Sequence, residues 1–510
     1  MISTDVSPTK RFIQCTCAIF WCLLSGGPIF GFAALKPVLI KEHVYEYLCD
    51  IHTLGSGNGD GDNIIAKCTN QDLKLNMMFT VAAMLTNVSA FAIGRVLDVY
   101  GPKVCGLIGA FFLYLACFVF IYSKNLAGSI IDPYLFGYAS LALGGPFAFI
   151  SSFQLSNSFP KRSGTILALI TGAFDASSAV FLLYRIVYKN SMGNFTLEKF
   201  FMLYLLVPTF ITVAQIVAMP NESYQTQINS SALCANDDES HGHVISPVTS
   251  ASANDTIVGT ATETTPLTEA TSPRLTTTTS RRDSIGDAIK QPYELEGEQF
   301  LVEHSGGVFG VLHGRTAQQQ MRTWWFVLTT LFSIIMMLRI NYFVATIGTQ
   351  YQYIFGSIEI SDSLNKFFDI ALPLGGIVSV PFIGLFLDNY SSLTVLSWLS
   401  GISLTIGVLG LLPNYGLAVI GVCMFVAYRP LFYTTISDFC AKVFGFENFG
   451  TVYGAIMCLS GIFNGGQALL DQLTHTTFKM NPIPINVILL LVTCVISGSI
   501  IGYIYKFTRK

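Results

Sequence analysis

Twelve apolar runs, each about as long as a helix needs to cross a bilayer, dominate this chain of 510 residues. A bilayer-crossing helix takes roughly 20 mostly apolar residues. Runs that meet this requirement lie at 12–38, 72–94, 103–122, 132–156, 163–185 and 200–218, and again at 324–347, 368–387, 392–412, 416–438, 450–471 and 484–506. Six precede a hydrophilic stretch and six follow it. The charged fraction agrees: only 12% of the residues are Asp, Glu, Lys or Arg, against roughly 25% in a soluble domain. A water-soluble fold has nowhere to bury this much apolar surface. The expected fold class is therefore an all-α membrane protein, with 1–218 as one six-helix bundle, 324–510 as a second, and 219–323 between them. The lipid bilayer is the first partner the sequence implies.

Several functions are excluded at this stage. A net charge of −3 from 28 basic and 31 acidic residues carries no nucleic-acid footprint. Most of the 12 cysteines fall within apolar runs, where the thiol behaves as a small hydrophobe. No C-x-x-C pair, Cys/His cluster or phosphate-cradling G-x-x-x-x-G-K-[ST] occurs, so neither a metal nor any other cofactor is expected. No Ser/His/Asp or paired-carboxylate arrangement points to an enzyme.

The stretch 219–323 contains the low-complexity run 260–280, rich in Thr, which cannot bury a core. It reads as a disordered linker. Within it, Arg281-Arg282-Asp283-Ser284 fits a basophilic kinase site, making Ser284 a phosphorylation candidate and a kinase a possible partner. A modest excess of Lys and Arg in the segments on the side of the termini predicts that both termini and the linker are cytosolic. That orientation places the 41–71 loop outside, where Cys49 and Cys68 are its only cysteines and candidates for a disulfide. Asn194, in an Asn-Phe-Thr sequon, becomes the glycosylation candidate.

The two halves repeat each other. Ile93-Gly94-Arg95-Val96-Leu97-Asp98-Val99-Tyr100 follows the second run, and Ile383-Gly384-Leu385-Phe386-Leu387-Asp388-Asn389-Tyr390 follows the eighth. Both read I-G-x-x-L-D-x-Y. Gly164-Thr165 and Gly450-Thr451 likewise open runs five and eleven. Matches in register across halves of equal run count imply a duplicated six-helix unit. The first copy, with Gly94, Asp98, Gly101 and Lys103, resembles the signature loop of the major facilitator superfamily. The resemblance implies two bundles rocking about a midplane site, with the loops, including Gly384 and Asp388 of the second copy, latching the inner gate. The second copy lacks the trailing Gly and base, so the first is expected to hold more strongly. Ile29-Phe-Gly-Phe-Ala-Ala-Leu-Lys-Pro-Val-Leu39, Gln71-Asp-Leu-Lys-Leu-Asn76, Gly172-Ala-Phe-Asp175 and Leu338-Arg339-Ile-Asn-Tyr342 are together similar to solute carrier family 43. This is the large-neutral-amino-acid transporter branch, and its fungal members are the nearest in pattern. That resemblance implies secondary transport of a small polar solute, neutral amino acids first, across a vacuolar or plasma membrane. A transporter-shaped nutrient sensor signalling through the linker, or the same fold with another organic solute, are the alternatives.

Charges within apolar runs are costly and so mark function. Arg339 lies midway along run seven, Arg429 midway along run ten and Asp175 near the middle of run five. Arg339 is read either as a clamp for a substrate carboxylate or as a structural pair. Asp175 is read either as a proton-coupling group or as the partner of an arginine; Arg429 is read as the internal ion-pair member. Asn87, Asn341, Tyr342, Asn464 and Gln467 are the uncharged candidates for the walls of a wet cavity, as are Gln154 and Asn157. Gly26-Gly27-Pro28 and Gly465-Gly466 predict bends in runs one and eleven.

Overall fold

A computed structural model of the chain describes residues 6–49, 69–126, 132–224 and 304–509, all helices, turns and loops, with no strand among them. Nine helices in these residues are long and apolar enough to cross a membrane, one of them the 48-residue stretch Lys74–Ile121. That stretch is twice the length a bilayer accommodates, and it is split where the sequence predicts. Gly101 adopts φ +83°, a conformation an L-residue resists, and Pro102 starts the next helix. A Cβ at Gly101 would also sit 2.4 Å from the Asn221 carbonyl oxygen.

The spans are Pro8–Ser25 continuing through Phe32–Lys41, Thr69–Val88 running on to Gly101, the rest of Ala90–Ile121, Pro133–Ser152, Ser163–Ala176 with Ala179–Asn190, and Leu197–Tyr204 with Leu206–Val217. In the second half they are Trp324–Phe355, Ile358–Asn389, Ser392–Leu409, Tyr415–Phe444, Phe449–Asn464 with Gly466–Thr476, and Ile483–Thr508. The 324–347 and 368–387 runs are thus cores of longer helices, because the polar turns that extend them still satisfy backbone hydrogen bonds internally. Span eight bends by 42° between residues 372 and 374. Span eleven is interrupted at Gly465.

Span one breaks at Gly26-Gly27-Pro28 as the sequence implies. Gly27 leaves the helical region at φ −141°, ψ 43°, and Pro28 has no N–H to continue the ladder. The amide of Gly27 is satisfied instead by the Ser177 hydroxyl, 2.7 Å away in span five. Span four packs here without a side chain: a Cβ on Gly145 would lie 2.3 Å from the Gly26 carbonyl oxygen. Backbone on backbone cannot yield, so Gly145→Val is expected to cost about 3 kcal/mol or more. It should sharply reduce the monodisperse fraction of detergent-solubilised protein on size exclusion. Gly401→Val, where a Cβ would meet nothing within 4 Å, should leave that fraction unchanged.

Large side chains such as Phe111, Leu183, Val217, Ile370, Phe382 and Val495 stand more than half exposed around the periphery. In an aqueous protein this band would be untenable; in a multi-pass integral membrane protein it is the lipid-facing surface. Both termini lie on one face, called here the terminal face: Arg11 donates to the Ser158 carbonyl at 2.7 Å, and Thr508 lies beside Gly307. Both ends of the 219–323 stretch, expected to be disordered throughout, are instead packed in order on the same face. Tyr224 is fully buried; its backbone is held by Gln154 and Asn157 at 2.9 and 3.0 Å, and its hydroxyl donates to Gln14 at 2.6 Å. On the other side, Gly310 and Leu312 donate to the Lys442 and Val443 carbonyls, and Gln320 bridges Leu312 and Phe444. Gln154 and Asn157 are thus clasps for Tyr224, and Asn157 also lines a small cavity at the terminal end, with Leu167, Asp438 and Lys442. Ser284 and Cys68 lie outside the described residues.

Candidate functional site

The seam between the six-span halves is built from small residues at helical spacing, which lets backbones approach closely. Along spans two and eleven, a Cβ on Gly94 would fall 1.8 Å from the Gly450 carbonyl oxygen, and one on Gly454 2.3 Å from that of Ala90. Spans five and eight mirror them: a Cβ on Gly384 would sit 2.7 Å from the Thr165 Cα. Glycine is thus required by contact at Gly94 and Gly384 of the signature motifs.

At the terminal end of the seam the two aspartates cross to the opposite half. The Asp98 carboxylate accepts from the Gly450 and Thr451 amides at 2.9 and 2.6 Å. The Asp388 carboxylate accepts from the Gly164 and Thr165 amides at 2.8 and 3.2 Å, and from the Thr165 hydroxyl. Each thus caps the first turn of a span in the other half, where free amides and the helix dipole attract an anion. The Gly-Thr pairs, legible only as a repeat in sequence, are the partners of the repeated aspartates. Asp388, whose copy of the motif lacks the trailing Gly and base, holds three donors against the two amides at Asp98. Lys103 does not take part: its ammonium donates to the Ile216 carbonyl at 3.3 Å, in the last turn of span six, where positive charge suits the helix dipole. Gly101 serves the turn already described.

Near the middle of the seam, Arg429 of span ten faces Asp175 of span five at 3.7 Å, the two side chains 17% and 7% exposed. This separation is an ion pair but too long for a good hydrogen bond. The second oxygen of Asp175 and the Thr171 hydroxyl are buried without a hydrogen-bond partner. Arg429 also sits over the Phe30 ring, 5.9 Å from its centroid. Arg429, Phe30 and Thr171 line a cavity of about 70 Å³ between the halves, with Asn87, Phe149, Phe174 and Tyr433 among its other walls. The rings of Phe149 and Phe174 lie 4.3 Å apart. Of the sequence candidates, Asn87 and Arg429 line this cavity and Asp175 adjoins it.

The remaining candidates go elsewhere. Arg339 turns into the interior of the second bundle, donating to the Ser403 hydroxyl and carbonyl at 2.7 and 3.0 Å and to Thr493 at 3.2 Å. Tyr342 shares a hydrogen bond with Thr474 at 2.9 Å, and with Arg339 it lines a small cavity inside that bundle. Asn341 is half-buried on the preceding position of that helix. At the break in span eleven, the Asn464 and Gln467 carbonyl oxygens are buried without partners. Cys49 is disulfide-bonded, and Asn194 is exposed on the face opposite the termini. Phe30 and Phe174 stand in the sequence only as members of the runs 29–39 and 172–175, with no sign of a cavity role, and Tyr433 looks like any other aromatic in an apolar run. A buried Lys442–Asp438 pair at 2.6 Å also lies outside the sequence candidates, although its i, i+4 spacing was the available signal. Close by, burial pushes the His313 imidazole below its usual range.

Two bundles related by a repeated motif and latched to each other at one end, with a charged cavity at mid-depth, make up the major facilitator fold. No family model matches the chain, but relatives and folds do. Protein FMP42 of Saccharomyces cerevisiae is 47% identical over 500 residues, 97% of this chain and 95% of that one. Bovine equilibrative nucleobase transporter 1 is 33% identical over 171 residues, 34% of each chain. The mouse large neutral amino acids transporter small subunit 3 is 25% identical over 180 residues, 35% of this chain and 32% of that one. Among solved structures, the proton:xylose symporter XylE superposes with a TM-score of 0.58 at 9% identity, covering 99% of this chain and 97% of that one. The human organic anion transporter MFSD10 gives 0.57 at 12%, covering 96% and 100%. The chain belongs to the same family as Protein FMP42 of yeast and has the major facilitator fold, and about a third of it is similar to the large neutral amino acids transporter.

Proposed function

We propose that this protein is a secondary transporter that carries neutral amino acids by alternating access, with Asp175 and Arg429 as the substrate-facing pair. The carrying observation is the loose Arg429–Asp175 contact at 3.7 Å, with one carboxylate oxygen unpartnered. It is a plus and a minus on opposite moving bodies, the pattern a zwitterion can bridge: the substrate ammonium to Asp175, its carboxylate to the Arg429 fork. Phe30, Phe149 and Phe174 offer the side chain an apolar wall. The hydrogen bonds joining the halves cluster at the terminal face, so this conformation is closed there and admits substrate from the other side. At about 70 Å³ the cavity is smaller than an amino acid, so binding requires the halves to part further. The termini and the linker are placed in the cytosol, and the membrane is vacuolar or plasma. The linker 219–323 and its Ser284 are assigned to regulation by a kinase.

A nucleobase is the second reading, favoured by the closely packed Phe149 and Phe174 rings and by the bovine nucleobase transporter relative. Proteoliposomes decide between them. Saturable uptake of labelled leucine or phenylalanine, competed by other large neutral amino acids, is the expected result. Uptake of adenine with no amino-acid flux would establish the second reading, and ligand binding without flux would sink transport.

A further inference from the structure

Arg339 presents a charge without a counter-charge inside the second bundle. Among the described residues no carboxylate is paired with it; its partners are Ser403 and Thr493, all neutral. An arginine keeps its proton in proteins, and a buried cation left uncompensated in a membrane bundle is costly. Guanidinium has five N–H donors, and three are engaged.

Around it lies a cavity of about 50 Å³, lined by Arg339, Tyr342, Gln350, Ser403, Tyr428 and Asn486 with others. Its polar groups are in donor surplus. The Tyr428 hydroxyl, which normally seeks oxygen, donates to the Met336 thioether at 3.0 Å, and the Ser403 hydroxyl contacts the same sulfur at 3.5 Å. Thioether sulfur is a weak acceptor. Space beside the guanidinium is kept open by Gly407, whose Cβ would fall 2.7 Å from Arg339 Nη2. Gln350 and Asn486, joined at 2.8 Å, stand near the span ends away from the terminal face and give the cavity a polar mouth. A chamber of this size holds about four water-sized particles, too few for an amino acid. It also lies within one bundle rather than between the moving halves, so rocking does not enlarge it.

We propose that this cavity is a binding site for a small monovalent inorganic anion of chloride size, held as the resident counter-ion of Arg339 and distinct from the Asp175–Arg429 site. The anion takes the two remaining guanidinium N–H groups and the Tyr428 hydroxyl.

The test is thermal unfolding of the purified full-length protein in detergent, in sodium chloride against sodium gluconate at equal ionic strength. Wild type is expected to gain about 3 °C in chloride, saturating with concentration and reproduced by bromide, as for any ligand that binds only the folded state. Arg339→Met and Gly407→Val should both unfold at temperatures independent of the anion, while Asp175→Asn keeps the full gain. Should Arg339→Met fail to fold, Gly407→Val carries the comparison. No chloride gain in wild type, an undiminished gain in Gly407→Val, or a gain with acetate but not with chloride would each overturn the proposal. Absence of amino-acid uptake would leave the chloride gain untouched, so the two readings fail separately.

Discussion

Asp175→Asn is expected to raise the KM for leucine uptake about 100-fold or more, and Arg429→Leu to bring uptake to background, with both proteins reaching the membrane. Removing one partner of a close charge contact costs about 2–5 kcal/mol, and each 1.4 kcal/mol is tenfold in affinity. The charges sit on spans five and ten, in opposite halves, 3.7 Å apart, so substrate groups enter between them as the halves part. A purely structural pair behaves differently. In that case removing one charge destabilises the fold, and Asp175→Asn combined with Arg429→Gln restores it, since replacing a whole buried pair is often close to neutral. Uptake and thermal stability measured on both single variants and the double variant separate these outcomes. Wild-type KM in the stable double variant would remove the pair from the substrate site.

Asp98→Asn and Asp388→Asn are expected to shift the protein toward the state open at the terminal face. Each carboxylate caps a helix of the other half through two backbone amides. Such bonds to a charged group contribute about 1.5–3 kcal/mol before the helix-dipole term is added. Asparagine keeps one acceptor oxygen and no charge, so a loss of about 2 kcal/mol per latch is expected, roughly 30-fold in the equilibrium between states. Losing both gives about 4 kcal/mol, close to the ~5.5 kcal/mol that inverts a 1:99 population. Leu167, 1% exposed, lines the terminal end of the seam beside Asp438 and Lys442. A cysteine there, in a background without other reactive thiols, should label faster in each single variant and fastest in the double. Equal rates in wild type and the double variant would refute the latch.

Much of this architecture is legible in the sequence because its causes are local. Apolar length sets the spans, Gly101-Pro102 divides the Lys74–Ile121 helix, and Gly26-Gly27-Pro28 breaks span one. The repeat of I-G-x-x-L-D-x-Y announces two related halves. What is not legible is the pairing of Asp98 with Gly450 and Thr451, more than 350 positions away. The Gly-Thr echo marks the partner only once the halves are brought face to face.

The arginines divide what the sequence determined from what the tertiary structure decided. Composition and spacing alone establish the membrane class, the twelve spans, the duplication and the rarity of Arg339, Arg429 and Asp175 within them. They give the depth of each charge along its helix but not the direction in which it points. Lipid is as apolar as a core, so hydrophobic periodicity does not distinguish the buried side of a span from the lipid side. The rotation of each helix is set by packing against its neighbours. That packing turns Arg429 into the seam beside Asp175 and Arg339 into the heart of its own bundle, against Ser403 and Thr493.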